Sequence, residues 1–277
     1  MSAAARLRVA ALALALTVAT GAAHAGRSCE NKPPQLGAVQ RSMALAEHTA
    51  QQLDRSGAQV VVLARIGQNL SDYGVRYSHL GFAYRDGNHW RVVHKLNRCG
   101  TATAAVYRQG LGEFFLDDLY EYEAAVVVPT PEVQAKLLPA LRDNLALAQL
   151  DTPAYSMVAY PWAQRYQQSN QWAIETLAMT QDPAADSSAA HRRTNLARGT
   201  YTREDAQAWL KLQGYQPTAL KISALKRLGA RATAANVAFD DHPNEKRFAD
   251  RIETVTVDSV FAWLNRSGLG ASVQSIR

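Results

Sequence analysis

The chain predicts an α+β fold built mainly on an antiparallel sheet, and three observations lead there. Residues 35 to 55 place Val39, Met43, Ala46, Ala50 and Leu53 at helical spacing, as an amphipathic helix requires. Two short β-rich runs, Tyr77 to Arg85 and Asn88 to Leu96, flank Asp86-Gly87, a strong hairpin signal. Further along, helix-opening signatures stand between short strand-like runs with no internal repeat.

In order, Gly57 ends the first helix, and Gln59 to Ile66 is a β-branched run typical of a buried strand. A polar loop, Asn69 to Arg76, leads into the hairpin, and Glu121 to Val128 is another strand. Thr130-Pro131-Glu132 then combines an N-cap, a proline in the first turn and an acid at the positive dipole end, opening a helix expected to reach Gln149. A loop with Pro153 and Pro161 precedes a helix over Asn170 to Met179. The Ala/Ser-rich stretch from Gln181 to Ala190 reads as a linker or surface excursion. Beyond it, Thr202 and Asp205 form a capping box for a helix to about Gln213, and Pro217 to Leu228 reads as a second short helix. Asn236 to Phe239 and Glu253 to Val257 are expected strands, and Asp258 is expected to cap a last helix to Arg266.

The N-terminus carries an address. Arg6 and Arg8 precede an apolar run, Val9 to Thr20, followed by Ala23-His24-Ala25, the small-x-small pattern of a signal-peptidase site. Cleavage before Gly26 is expected, giving a periplasmic or secreted protein. The alternative, an uncleaved anchor, needs about 20 apolar residues, more than this run offers. No lipobox precedes Cys29, and no later segment of the mature chain is apolar enough for a transmembrane helix. The expected organisation is a signal peptide (1–25), a core (26–180), a linker or surface excursion (181–201) and a C-terminal α/β extension packed on the core (202–277).

Removing the two leader arginines from 30 basic residues, against 24 acidic, leaves the mature chain at +4. With no dense Lys/Arg block and no stacking motif, nucleic acid is not an expected partner. No Gly-rich phosphate loop or dinucleotide fingerprint is present, so no organic cofactor is expected. The two cysteines, Cys29 and Cys99, form an even pair in an oxidising compartment, which invites a disulfide. Its loop of about 70 residues corresponds to roughly 4 kcal/mol of loop entropy.

The hairpin holds the first candidate site residues. With Asp86-Gly87 as a two-residue loop, His79 falls directly opposite His94, on the face that carries Gly81, Ala83, Val92 and Trp90. Two such imidazoles can bind a metal, although no third ligand is evident. They can act as base and orienter, or be satisfied by backbone groups near a sheet end. Ser169 stands at the start of the Asn170 helix. There a hydroxyl is either a nucleophile at the positive dipole end or an ordinary N-cap.

From Tyr77-Ser78-His79-Leu80-Gly81-Phe82, through Val92-Val93-His94, to Ser169-Asn170-Gln171-Trp172, the chain resembles the permuted papain-like group. That group includes lecithin retinol acyltransferase-like proteins and relatives of NlpC-type cell-wall peptidases. Over Val60 to Met179 the resemblance implies a papain-like fold of permuted order, with a helix packed on an antiparallel sheet. It implies His79 as base, His94 as orienting residue and Ser169 in the nucleophile position. The departure is the nucleophile itself: the group uses Cys, and a serine hydroxyl depends on general-base help where a thiol is already partly ionised. The phrases Ala64 to Ser71, Gln167 to Trp172 and Asn236 to His242 also resemble an uncharacterised bacterial family, domain of unknown function 2145, over nearly the whole mature chain.

Two functions are expected. One is a Ser-variant hydrolase or acyltransferase acting on an amide or ester in the cell envelope. The other is a catalytically inactive module that keeps the cleft and binds a cell-envelope peptide, lipid or protein; a purely structural envelope protein is a third reading. Asp240-Asp241-His242 with Glu245 reads as a solvated loop rather than a metal site, and Asp117-Asp118 as a turn or capping pair. His191-Arg192-Arg193 reads as an exposed basic patch, His48 and His89 have no special context, and the five Trp read as core or rim.

Overall fold

The computed structural model describes residues 33–117, 119–185 and 200–277. The expected leader, Cys29, Asp118 and the His191–Arg193 patch lie outside the described residues.

Helix α1 (Leu36–Ser56) ends at Gly57, whose φ of 68° is the left-handed value that closes a helix. It is followed by β1 (Val60–Ile66), β2 (His79–Asp86), β3 (His89–Asn97), β4 (Ala104–Gly110), a short α2 (Leu111–Phe115) and β5 (Glu121–Val127). Next come α3 (Pro131–Arg142), α4 (Asn144–Gln149), α5 (Ser169–Gln181) and α6 (Arg203–Leu212). The chain closes with β6 (Thr218–Lys221), α7 (Ala224–Thr233), α8 (Asn244–Phe248), β7 (Arg251–Thr254), α9 (Val257–Arg266) and β8 (Gln274–Ile276).

The fold is α+β. Six strands form one antiparallel sheet in the order β4-β3-β2-β1-β5-β8, and β6 pairs with β7 in a separate two-stranded ribbon. Period-two alternation divides the sheet residues between two cores. On one face Val62, Ala64, Leu80, Phe82 and Val93 pack against α3, α5, α6 and α9, with Trp172 and Trp263 buried. On the other, Val61, Leu63, Ala83 and Val92 pack against α1, Phe114 and Phe115. The C-terminal elements are part of this architecture: α9 contributes Val260, Phe261 and Leu264 to the first core, and Ile276 of β8 joins the second. Among the described residues no helix is long and apolar enough to cross a membrane.

Several expected elements are corrected. The helix opened by Thr130 breaks at Asp143, whose side chain accepts from Leu145 N and restarts the chain as α4. Pro217 to Leu228 is a strand, β6, followed by α7, because Ser223 caps a new helix at Lys226 N. Residues 236–239 are not a strand: Asn236 O accepts from Met157 N and Ala238 N donates to Ser156 Oγ, so loop contacts satisfy this backbone. The last strand of the ribbon is Arg251–Thr254, and α9 is capped by Thr256, with Asp258 in its first turn. Strand β4 and helix α2 were not expected from the sequence.

Candidate active site

The hairpin loop is Gly87-Asn88, not Asp86-Gly87. Pairing runs from Asp86–His89 to Phe82–Val93, and Gly87 takes the positive φ, 60°, that its first central position needs. The register therefore moves by two residues, which keeps every side chain on its expected face. Continued one residue beyond Phe82–Val93, it sets Gly81 opposite His94, so His79 and His94 are diagonal rather than direct neighbours. They still meet: His79 Nε2 lies 2.8 Å from His94 Nδ1. Gly81 permits this, since a Cβ there would stand 2.8 Å from His94 Cβ and 2.9 Å from the Val93 carbonyl oxygen. Gly81→Ala is accordingly expected to cost about 1–3 kcal/mol, measured by urea denaturation, because neither the strand nor the imidazole has room to yield.

Behind the pair, His94 Nε2 lies 2.7 Å from Gln109 Oε1 on β4. A carboxamide oxygen only accepts, so His94 carries its proton on Nε2 and presents a lone pair at Nδ1. His79 must then donate from Nε2, which leaves the lone pair of His79 on Nδ1. Among the described residues no hydrogen-bond partner is seen for that nitrogen. Phe114 lies against both rings, with centroids 6.0 and 5.1 Å away. Arg65, from β1, stacks over Phe114 at 4.7 Å and bonds both the Phe114 carbonyl and Asp117.

Burial and the Arg65 charge oppose protonation of both imidazoles. His94, 0 % exposed, is pushed down to about 3, with the Gln109 bond acting the other way. His79 is held well below its ordinary value by burial, by Arg65 and by His94. A metal between the rings is disfavoured, because their facing nitrogens are already joined to each other. Among the described residues no group of three His, Cys, Asp or Glu could hold an ion.

The nucleophile candidate approaches from the other side of the sheet. Pairing between β2 and β3 stops at Phe82–Val93, and in the splay Leu80 N donates to Asn170 Oδ1 at 3.1 Å. This tie holds the N-terminus of α5 against the start of β2. The cap of α5 is Gln168, not Ser169. Its side chain accepts from Asn170 N at 3.1 Å while donating to Thr254 Oγ1 and the Val255 carbonyl, both at 2.8 Å. Ser169 is the first helical residue, 6 % exposed, and lines the same cavity as the buried Tyr155. With capping assigned to Gln168, helix termination no longer accounts for this serine.

A buried polar cluster fixes α5 from behind. Glu175 accepts from Arg203 Nε at 2.8 Å, Gln207 at 2.7 Å, Gln167 at 2.6 Å and Gln171 at 3.2 Å. Lys95 Nζ, fully buried, donates to Asp151, the Thr152 carbonyl and Gln167.

His79 and Ser169 line one cavity of about 940 Å³ at the end of the sheet, between residues 67–78 and the β6–α7 segment. His79 and Ser169 thus line the same cavity, and His94 stands behind His79. The sequence reading missed Gln109, Arg65, Tyr155 and Gln168. Of these, only the Gln168-x-x-Gln171 spacing carried a readable signal, a capping box displaced by one residue from the expected cap.

The remaining candidates lie elsewhere. Cys99 is disulfide-bonded. Asp240 pairs with Arg165, and Asp241 accepts from Tyr160 N while facing His242, whose other nitrogen meets the Glu253 carbonyl. Glu245 lies in the first turn of α8. Asp117 pairs with Arg65. His48 bonds the Arg277 carbonyl, and His89 opens β3 at the surface.

A family model described as an uncharacterised protein conserved in bacteria, DUF2145, matches residues 52–264. No curated protein and no solved structure matches the chain.

Proposed function

The chain belongs to the bacterial DUF2145 family, and from the geometry of its own site we propose that it is a Ser-variant papain-like hydrolase or acyltransferase acting on an amide or ester in the cell envelope. One observation carries the reading: the Gln109–His94–His79 chain directs the basic lone pair of His79 to Nδ1, on a residue that lines the same cavity as Ser169. The order of strand His, strand His and helix hydroxyl is that of the permuted papain-like group, with Ser in place of Cys.

In this reading Ser169 Oγ adds to the substrate carbonyl carbon while its proton passes to His79 Nδ1. Collapse of the tetrahedral adduct breaks the bond to the leaving amine or alcohol, which takes that proton, and leaves an ester on Ser169. Water or an acceptor alcohol then attacks the ester by the same route in reverse and frees the serine. His94 holds the tautomer of His79, and the positive end of α5 lies where negative charge develops on the carbonyl oxygen.

A fluorophosphonate probe tests this directly. The protein is expected to label at Ser169, with labelling lost in Ser169→Ala and slowed by about 10²–10⁴ in His79→Ala. Burial and Arg65 hold His79 well below 6.5, so the labelling rate should stay level as pH falls through 6.5. Undiminished labelling of Ser169→Ala would overturn the assignment of the nucleophile.

A second reading, a catalytically silent binding module, is favoured by a separate observation. The acceptor behind the imidazole pair is the neutral Gln109, and Arg65 opposes the imidazolium that acyl transfer forms in passing. On that reading the protein resists the fluorophosphonate, while Ser169→Cys becomes reactive toward iodoacetamide.

A further inference from the structure

We propose that helix α7 is a docking face for an anionic phospholipid surface, lying in the headgroup layer with its leucines inserted. This goes beyond the reading of Ser169 and does not depend on it.

The helix is turned the opposite way from a core element. An amphipathic surface helix ordinarily sends its apolar stripe toward the protein interior. At about 3.6 residues per turn, Ala224, Leu225, Leu228 and Ala232 fall within an arc of about 100°. All four are exposed, Leu225 and Leu228 by 79 % and 68 %. On the inner side Arg227 is buried, donating to the Ile222 carbonyl and to Asp250. Ala230 packs on the small cluster of Ile222, Val237, Phe239 and Ile252. The Ser223 cap and the Arg227–Asp250 pair thus fix an orientation in which the leucines face solvent. An apolar ridge held outward in this way marks an interaction surface.

Charge selects the occupant. Lys226 and Arg231 flank the stripe, and Lys221 lies opposite Arg251 in the β6–β7 ribbon that leads into the helix. All four cations are exposed, and among the described residues Lys221, Lys226 and Arg231 meet no carboxylate. Of the acids in this part of the fold, Asp250 pairs with Arg227, and Glu253 with Lys246 and Arg251. Asp72, beside Tyr73, and Glu245, on α8, are exposed but outnumbered. A second copy of the chain is a poor occupant, because a two-fold contact sets this positive patch against itself. An anionic bilayer takes both parts of the face: leucines enter the acyl boundary while Lys and Arg stay at the phosphates.

Neighbouring side chains suit the same surface. The Tyr73 ring is exposed 5.9 Å from Lys226 Nζ, and Phe248 of α8, 72 % exposed, stands two residues before the Asp250 that holds α7. Two leucines and a few cations give reversible, salt-sensitive binding rather than a permanent anchor.

The test is flotation of the protein with vesicles of phosphatidylglycerol and phosphatidylcholine in equal parts, and with phosphatidylcholine alone. Binding to the mixed vesicles is expected to exceed binding to the neutral ones at least about ten-fold at low salt, and to be lost at about 0.5 M sodium chloride. Leu225→Ser with Leu228→Ser should weaken it about ten-fold, and Lys226→Gln with Arg231→Gln by about as much. These positions are exposed, so the variants should keep the urea midpoint of the parent protein. Leu145→Ser, at an equally exposed leucine on α4, should leave binding unchanged.

Absence of flotation with the mixed vesicles would overturn the proposal. So would binding that the α7 variants leave intact, or that Leu145→Ser weakens as much as they do. Self-association that the leucine pair abolishes, without vesicle binding, would assign the stripe to a second copy and overturn the membrane reading.

Discussion

Replacing Arg203 by alanine is expected to destabilise the protein by about 3–5 kcal/mol, read from urea denaturation, the largest loss for any single substitution considered. The side chain is buried, and its guanidinium holds three segments at once. It meets Glu175 of α5 at 2.8 and 3.2 Å, and donates to Thr152 Oγ1 and to the carbonyls of Ala163, Gln164 and Tyr166. Its removal leaves the Glu175 carboxylate buried with only neutral amide donors, an uncompensated charge in a low-dielectric site. Arg203→Lys should recover little, because an ammonium cannot reproduce the planar fork. Arg203→Met combined with Glu175→Leu should recover most of the loss, since no charge is then stranded. A loss under about 1 kcal/mol for Arg203→Ala would mean that water reaches Glu175 once the guanidinium is gone.

The second large effect is on acid stability. The His94 imidazole is neutral in the fold down to about 3, against 6.5 for the exposed group. Below 6.5 the unfolded chain binds a proton that the folded chain refuses, so stability falls with pH across the interval from 6.5 to about 3. The slope is about 1.4 kcal/mol per pH unit for this one residue, or roughly 3 kcal/mol between neutral pH and 4.5. His79 is shifted in the same direction by burial, by Arg65 and by His94, and adds to the loss. Carboxylates titrate in part of the same range, so the readout is a difference: the slope of unfolding free energy against pH between 6.5 and 5 in the protein and in His94→Gln. The variant should be flatter. Equal slopes would show that His94 titrates as an exposed group.

The sequence showed much of this architecture where local chemistry and tertiary packing agree. Helix α1, with its periodic apolar stripe and terminal Gly57, was legible to within a residue at each end, as was β1 with its three consecutive valines. Thr130 and Thr202 were legible because a cap is a contact within four residues. The hairpin was legible in kind but not in register, since Asp86-Gly87 and Gly87-Asn88 both satisfy short-range turn rules. Pairing along the strands decides between them. The two-residue error kept the histidines on one face, which is why their proximity survived it.

Other elements were hidden because long-range contacts form them. Strand β4 holds one β-branched residue, Val106, beside Ala104, Ala105, Arg108, Gln109 and Gly110, and its ladder with β3 stabilises it more than its own propensity. With β4 unseen, Gln109 could not be placed behind His94. The β6 strand was mistaken for helix because Pro217 and the following residues read as a helix start, while pairing of Thr218 to Lys221 with β7 overrides that preference. Gln168 was overlooked as a cap because Ser169 is the more usual capping type. Thr254 and Val255, distant in sequence, hold the glutamine in place.

The sheet order has a kinetic consequence. Its centre is β1, but the strand on one flank, β5, is completed by β8, whose Ile276 pairs with Ala124, while the Arg277 side chain bonds Glu123. A segment at one end of the sequence therefore closes a ladder with strands begun about 150 residues earlier. Pairings of such separation incur their loop-closure entropy before any burial offsets it, so this edge should form late, after the local β2–β3 hairpin. Until it does, β5 presents an unpaired apolar edge to other chains. Refolding should then depend on protein concentration, with aggregation competing against closure of that edge.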